Sequence, residues 1–172
     1  MNNMNIKKKI EEILPTINGV ETDVDKAHKK HIARVNELIE FFIQELKFRA
    51  VNHDSDKLVS PNREYYHIVS RDLKGLTYGS SEYFECLKEL KPALDNHFKI
   101  HRHHPEHFEN LIDGMNLVDL VEMFLDWKAA SERHADGCID NSIKLNKTRF
   151  KISDQLENIF KNTAKDYFNN AK

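Results

Sequence analysis

From Asp23 to Val51 the chain places an apolar residue or a histidine at nearly every third or fourth position: His28, His31, Ile32, Val35, Leu38, Ile39, Phe42, Ile43, Leu46 and Ala50. Spacings of three and four put these side chains on one face of an α-helix, with His31 pointing inward beside Ile32 and Val35. The same period returns further along, the strict alternation of a half-buried strand is missing, and 172 residues include only 5 glycines and 4 prolines. Helix packed on helix is the architecture such segments build. With 40% apolar residues the chain can bury a core without disulfides. The sequence therefore reads as an all-α, single-domain helical bundle over residues 23–172, preceded by a short helix and connector over 1–22.

Local signals set the remaining elements. Residues 5–14 form a short helix that Pro15 ends. Ser60 and Pro61 supply an N-cap and a first-turn proline for a helix to about Lys74, which Gly75 and Gly79 break. Ser80 or Ser81 caps a helix that Pro92 kinks or divides, and Pro105 to Asp113 is a loop or short turn. Asn116 caps a helix from Leu117 to about Ala135 that is apolar on nearly every side, and so central. Two more helices cover roughly Cys138 to Phe150 and, capped by Ser153, the stretch to about Phe168. Trp127 and the pair Phe41 and Phe42 are read as core.

Charge and cysteine content narrow the partners. Lys plus Arg is 26 against 28 for Asp plus Glu, so the net charge of -2 exerts no long-range pull on long nucleic acid or an anionic membrane. A local basic pocket for one small phosphate remains compatible with that balance. Cys86 and Cys138 form no CxxC pair and suit a reducing compartment. No run of about eighteen apolar residues occurs, and residues 1–15 lack the apolar segment of a secretion signal, so a cytoplasmic, unexported protein is expected.

The chemistry is concentrated in residues 97–107, which hold His97, His101, His103, His104 and His107 out of 10 histidines in the chain. Neutral imidazole is a ligand for zinc, iron and nickel, and five rings are hard to bury for packing alone because each ring nitrogen needs a partner. An exposed His-rich loop is the plain alternative. Further donors are His31, the adjacent His53 and Asp54, and Asp126, which interrupts an apolar run between Leu125 and Trp127. A carboxylate there must be paired, hydrogen-bonded or metal-bound.

The order His31, His53-Asp54, Asp126, with Lys57 three residues after Asp54, resembles the HD-domain metal-dependent phosphohydrolase superfamily. The HDxxK of its two-metal members reads here as His53-Asp54-Ser55-Asp56-Lys57, and their lone His and His pair look like His97 and His103-His104. The Gly-Tyr-Pro of the cyclic-di-GMP enzymes is absent after His104, so their substrate is not implied. Over roughly residues 31–165 the chain also resembles a family of uncharacterised bacterial and phage proteins. The marks are His53-Asp54-Ser55-Asp56-Lys57, Tyr78-Gly79-Ser80, Leu90-Lys91-Pro92-Ala93-Leu94, His103-His104-Pro105-Glu106-His107, Glu122-Met123-Phe124-Leu125-Asp126-Trp127 and Arg133-His134.

These resemblances imply a divalent transition metal, one or two ions of Mn, Fe, Zn, Ni or Co. One ion would take His31, His53, Asp54 and Asp126; the second would take His97, His104 and the shared Asp54, with His103 the alternative to His104. Lys57 would meet a phosphate oxygen, Arg133 and His134 would contact substrate at the mouth, and His101, Glu106 and His107 would orient the ligands from behind. The activity implied is hydrolysis of a small phosphoester, a nucleotide being the favoured class. A di-iron oxygenase and a non-catalytic phage or bacterial binding protein are the rivals, and a homo-oligomer is compatible with each.

Overall fold

A computed structural model describes residues 3–72, 81–133 and 137–168, without the side chains of 3–7, 83, 84 and 87. The described residues form eight α-helices and three short 3-10 turns, with no strand among them. In chain order the helices are α1 (Asn3–Ile17), α2 (Asp23–Asn52), α3 (Asn62–Asp72), α4 (Ser81–Glu89), α5 (Lys91–Ile100), α6 (Leu117–Ser131), α7 (Ile139–Phe150) and α8 (Asp154–Tyr167). The fold is all-α. Lys74, Gly75, the Tyr78-Gly79-Ser80 motif, His134 and Ala135 lie outside the described residues.

The chain divides into two compact units, Met1–Glu45 and Leu46–Lys172. In the first, α1 runs past Pro15 to Ile17 instead of ending before it. Proline lacks the N–H that would bond the Glu11 carbonyl and crowds that carbonyl, so Pro15 costs this helix one bond two residues before its end. Along α2 no residue is buried. His31, Ile32, Val35, Phe41 and Phe42 are therefore exposed, against the reading of His31 as inward and of the Phe pair as core. Periodicity reports which residues share a face; it does not report what covers that face.

The second unit has two apolar cores. In the larger, α6, α7 and α8 bury Met123, Phe124, Ile139, Ile143, Phe150, Ile152, Phe160 and Ala164, with Trp127 partly buried against them. Phe124 stacks on Phe160 at 5.1 Å between ring centroids. In the smaller, Val69 of α3 meets Ala93 of α5 and Leu90, the residue dividing α4 from α5 beside Pro92. α6 begins with a capping box in which Asn116 Oδ1 accepts from the Asp119 N–H and the Asp119 carboxylate accepts from the Asn116 N–H. One side of α6 stays exposed through Leu117, Val121 and Leu125, four residues apart, so this helix is not surrounded on all sides. Its other side carries Asp119, Glu122 and Met123 inward, and that turn of polar residues supports the site.

Candidate metal centre

α2 ends one residue before His53, and Asp54 adopts the left-handed backbone conformation at φ 54° that leads into the 3-10 turn Ser55–Leu58. Asp is among the few residues that take this conformation readily, and such positions gather at functional sites. On the far side, α5 carries His97, and the chain then leaves the helix through His101, His103 and His104 before Pro105. Here the two segments meet. Asp54 Oδ1 lies 3.3 Å from His97 Nε2 and 3.5 Å from His103 Nε2, while His97 Nε2 and His104 Nε2 are 2.7 Å apart. One donor atom from each of Asp54, His97, His103 and His104 falls within 4.8 Å of the other three. Lys57 Nζ donates to Asp54 Oδ2 at 2.6 Å.

Carboxylates stand behind the rings. Asp56 is buried and accepts from His97 Nδ1 at 2.9 Å, with His101 Nε2 at 2.6 Å and the Asn62 amide on its other oxygen. Glu122 Oε1 lies 3.0 Å from His53 Nδ1 and 3.1 Å from His103 Nδ1. Arg49 donates to Glu122 Oε2 and to Asp119 Oδ1, both at 3.1 Å, and Arg102 holds both oxygens of Asp119. The second ring nitrogen of His53 faces Asp126 Oδ1 at 3.6 Å and Asp54 Oδ2 at 3.8 Å.

Proton affinities in this cluster diverge. The Asp126 and Glu122 carboxylates beside His53 raise its pKa to about 10. Burial drives His104 the other way, to about 3, with His103 and His97 adding repulsion. Burial also lowers His97, with Lys57 reinforcing it against Asp56, so a neutral His97 donates Nδ1–H to ionised Asp56. For His103 burial is outweighed by Asp54 and Glu122, and its pKa rises. Burial opposes ionisation of Asp54, Glu122 and Asp126, yet the neighbouring histidines, and for Asp54 also Lys57, hold all three below the usual carboxylate range.

A metal fits this donor set. Asp54 Oδ1 and both ring nitrogens of His103 are buried without an aligned hydrogen-bond partner, although anions and rings stand 3.1 to 3.5 Å away. Buried polar atoms are rarely left so, and a cation among three imidazoles and a carboxylate satisfies Asp54 Oδ1 and His103 Nε2 together, while His103 Nδ1, on the other edge of the ring, faces Glu122. The buried His/Asp groups of this chain can hold a metal ion.

The sequence-predicted residues fall into three sets. His53, Asp54, His97, His103, His104 and Asp126 come together with Lys57 at their edge. His31 stands exposed in the first unit and enters none of the candidate metal groups, and Arg133 is exposed beyond the end of α6. Glu106 and His107 were expected to orient His103 and His104. Instead Glu106 accepts from Arg149 at 2.5 Å and His107 Nδ1 meets the Phe98 carbonyl at 3.0 Å, which pins the turn to its neighbours. His101 does stand behind the site, on Asp56. Sequence reasoning did not assign Asp56, Glu122, Arg49, Asp119 or Arg102. The available signal for Glu122 was its place four residues before Asp126, on the same helical face.

The family of unknown function DUF5662 matches residues 20–166, and the chain belongs to that family. Comparison with curated proteins and with solved structures gives no match.

Proposed function

We propose that this member of the family of unknown function is a metal-dependent phosphohydrolase acting on a small phosphoester, with a nucleotide the favoured substrate class. The observation that carries the reading is the convergence of Asp54, His97, His103 and His104 around unpartnered buried atoms. Asp54, His97, His103 and His104 would hold one ion; His53 and Asp126, facing the other Asp54 oxygen, would hold a second. A divalent transition metal such as Mn, Fe, Zn, Ni or Co supplies Lewis acidity there and lowers the pKa of a water toward neutrality.

The chain's own groups complete the hydrolase reading. Lys57 is about one-third exposed and touches Asp54 from the open side, so its ammonium can turn to a phosphate oxygen and offset charge that grows as water attacks phosphorus. Asp56 and Glu122 fix ring orientation from behind, as carboxylates do for ligating histidines. Water adds to phosphorus, the ester P–O bond breaks, and the leaving alcohol takes a proton. No helix among the described residues is long and apolar enough to cross a membrane, which suits a small dissolved substrate.

The test is metal quantification on the purified chain, followed by a manganese-supplemented panel of phosphomonoesters, phosphodiesters and nucleotides. Bound transition metal with phosphate release, both lost in Asp54→Asn, is the expected result. Bound iron with oxygen uptake and no phosphate release would replace the hydrolase by an oxygenase, and metal without turnover would leave a binding protein.

A further inference from the structure

We infer that Glu122 is the positioning residue of the cluster, a single carboxylate oxygen that orients two imidazoles at once and leaves the outward nitrogen of each free for metal. The inference rests on the metal reading above. Glu122 Oε1 stands 3.0 Å from His53 Nδ1 and 3.1 Å from His103 Nδ1, and the two rings lie side by side with centroids 4.3 Å apart. An ionised carboxylate only accepts hydrogen bonds, so each ring must present an Nδ1–H to it. Metal then takes the Nε2 on the opposite edge of each ring, and any proton there leaves as the ion binds, while Nδ1–H stays on the carboxylate. Those edges face the proposed metal positions: His103 Nε2 toward Asp54 Oδ1, His53 Nε2 toward Asp126 Oδ1 and Asp54 Oδ2. The contact to His103 has the distance of a hydrogen bond without its alignment, a common state for site hydrogen bonds before the ligand is bound.

Glu122 is itself held from behind. Its Oε2 accepts from Arg49, whose other terminal nitrogen reaches Asp119 Oδ1. Asp119 is fully buried, takes two hydrogen bonds from Arg102 and closes the capping box of α6. The rotamer of Glu122 is thus tied to the start of its own helix, and its charge is balanced by Arg49. Replacement by Gln keeps the shape but not the function. An amide that turns its oxygen to the two rings must turn its NH2 against the Arg49 guanidinium, and the reverse orientation points donors at donors on the ring side. Asp56 offers the contrast, since among the proposed ligands it backs only His97.

The experiment is zinc titration of the chelator-treated full chain against a competing chelator, for wild type, Glu122→Gln and Asp56→Asn. It is combined with proton–nitrogen spectra of the zinc-loaded proteins and with melting of the metal-free proteins. Wild type should show protected Nδ1–H signals for His53, His97 and His103. In Glu122→Gln the His53 and His103 signals should be lost and zinc affinity should fall by about 10- to 100-fold. Asp56→Asn should lose the His97 signal and keep the other two. If Glu122→Gln binds zinc as tightly as wild type and merely melts earlier, Glu122 is a buried ion-pair partner of Arg49 and the inference is wrong while the metal reading stands. If wild type takes up no zinc, the metal reading and the inference fall together.

Discussion

The Nε2 atoms of His97 and His104 stand 2.7 Å apart, a separation that two neutral ring nitrogens hold only with a proton or a cation between them. Both rings have depressed proton affinity through burial, His104 down to about 3, so at neutral pH they are uncharged and ready to ligate. Added zinc, manganese or nickel should therefore raise the melting temperature of the chelator-treated chain. Saturation at about 100 times the dissociation constant corresponds to about 2.7 kcal/mol. His97→Ala should abolish the rise. A wild-type melting temperature indifferent to all three metals would count against the site.

The metal-free protein should also carry a recognisable pH signature. His53 is bound more tightly as the imidazolium in the folded state, with its pKa raised to about 10, so its contribution is complete below about 6.5 and is lost as pH rises toward 10. His104 works in the opposite sense: its neutral form is favoured, and that contribution is present above about 6.5 and lost as pH falls toward 3. Asp54, Glu122 and Asp126, all depressed, add to the loss on the acid side. Melting curves of the chelator-treated chain should fall on both sides of a maximum near pH 6 to 7. In His53→Gln the alkaline fall should flatten while the acid fall persists; an unchanged alkaline limb would show that His53 is not the group responsible.

Much of this was legible in the sequence because short-range rules governed it. Asn116 and Ser153 do cap α6 and α8, and Pro92 does divide α4 from α5, since each acts through backbone groups a few residues away. The meeting of His53-Asp54 with His97, His103 and His104 was approachable for a different reason: so many ligating side chains leave few other ways to be buried. Arg49 and Asp119 were not approachable. Each is an ordinary charged residue on a helix, and its role depends on contacts across 70 residues of chain. The inward direction read for His31 is the complementary case, because a periodic face on α2 gives no measure of what packs against it, and no residue of that helix is buried.

Lys57 offers a test that separates chemistry from metal binding. Its ammonium touches Asp54 Oδ2 rather than any imidazole, and it stacks 5.4 Å from the Tyr66 ring, whose hydroxyl is buried without a partner. Lys57→Met should preserve metal content, because no proposed ligand is removed. It should lower kcat/KM for a phosphoester by about 100- to 1000-fold, the usual loss when one donor to transition-state charge is deleted. A variant that lost metal in proportion to activity would show instead that Lys57 serves to hold Asp54 in place.

Stability can be probed outside the proposed ligand set at Lys151, the residue that ends α7 in the left-handed conformation with φ 53°. The Ile152 N–H bonds back to the Lys147 carbonyl at 3.1 Å, and Ile152 is buried in the larger core, so this turn is what sends the chain from α7 into α8. A side chain with a Cβ costs about 1 to 2 kcal/mol in that conformation, and glycine avoids the cost. Against this, glycine gives the unfolded chain more freedom, which returns about 0.5 to 1 kcal/mol. Lys151→Gly should therefore gain roughly 0.5 to 1 kcal/mol, or about 1 to 4 °C in melting temperature for a chain of this size. Lys151→Ala, which keeps the Cβ and shortens an exposed side chain, should show no such gain. Equal melting temperatures for the two variants would mean that the left-handed turn is not the source of the effect.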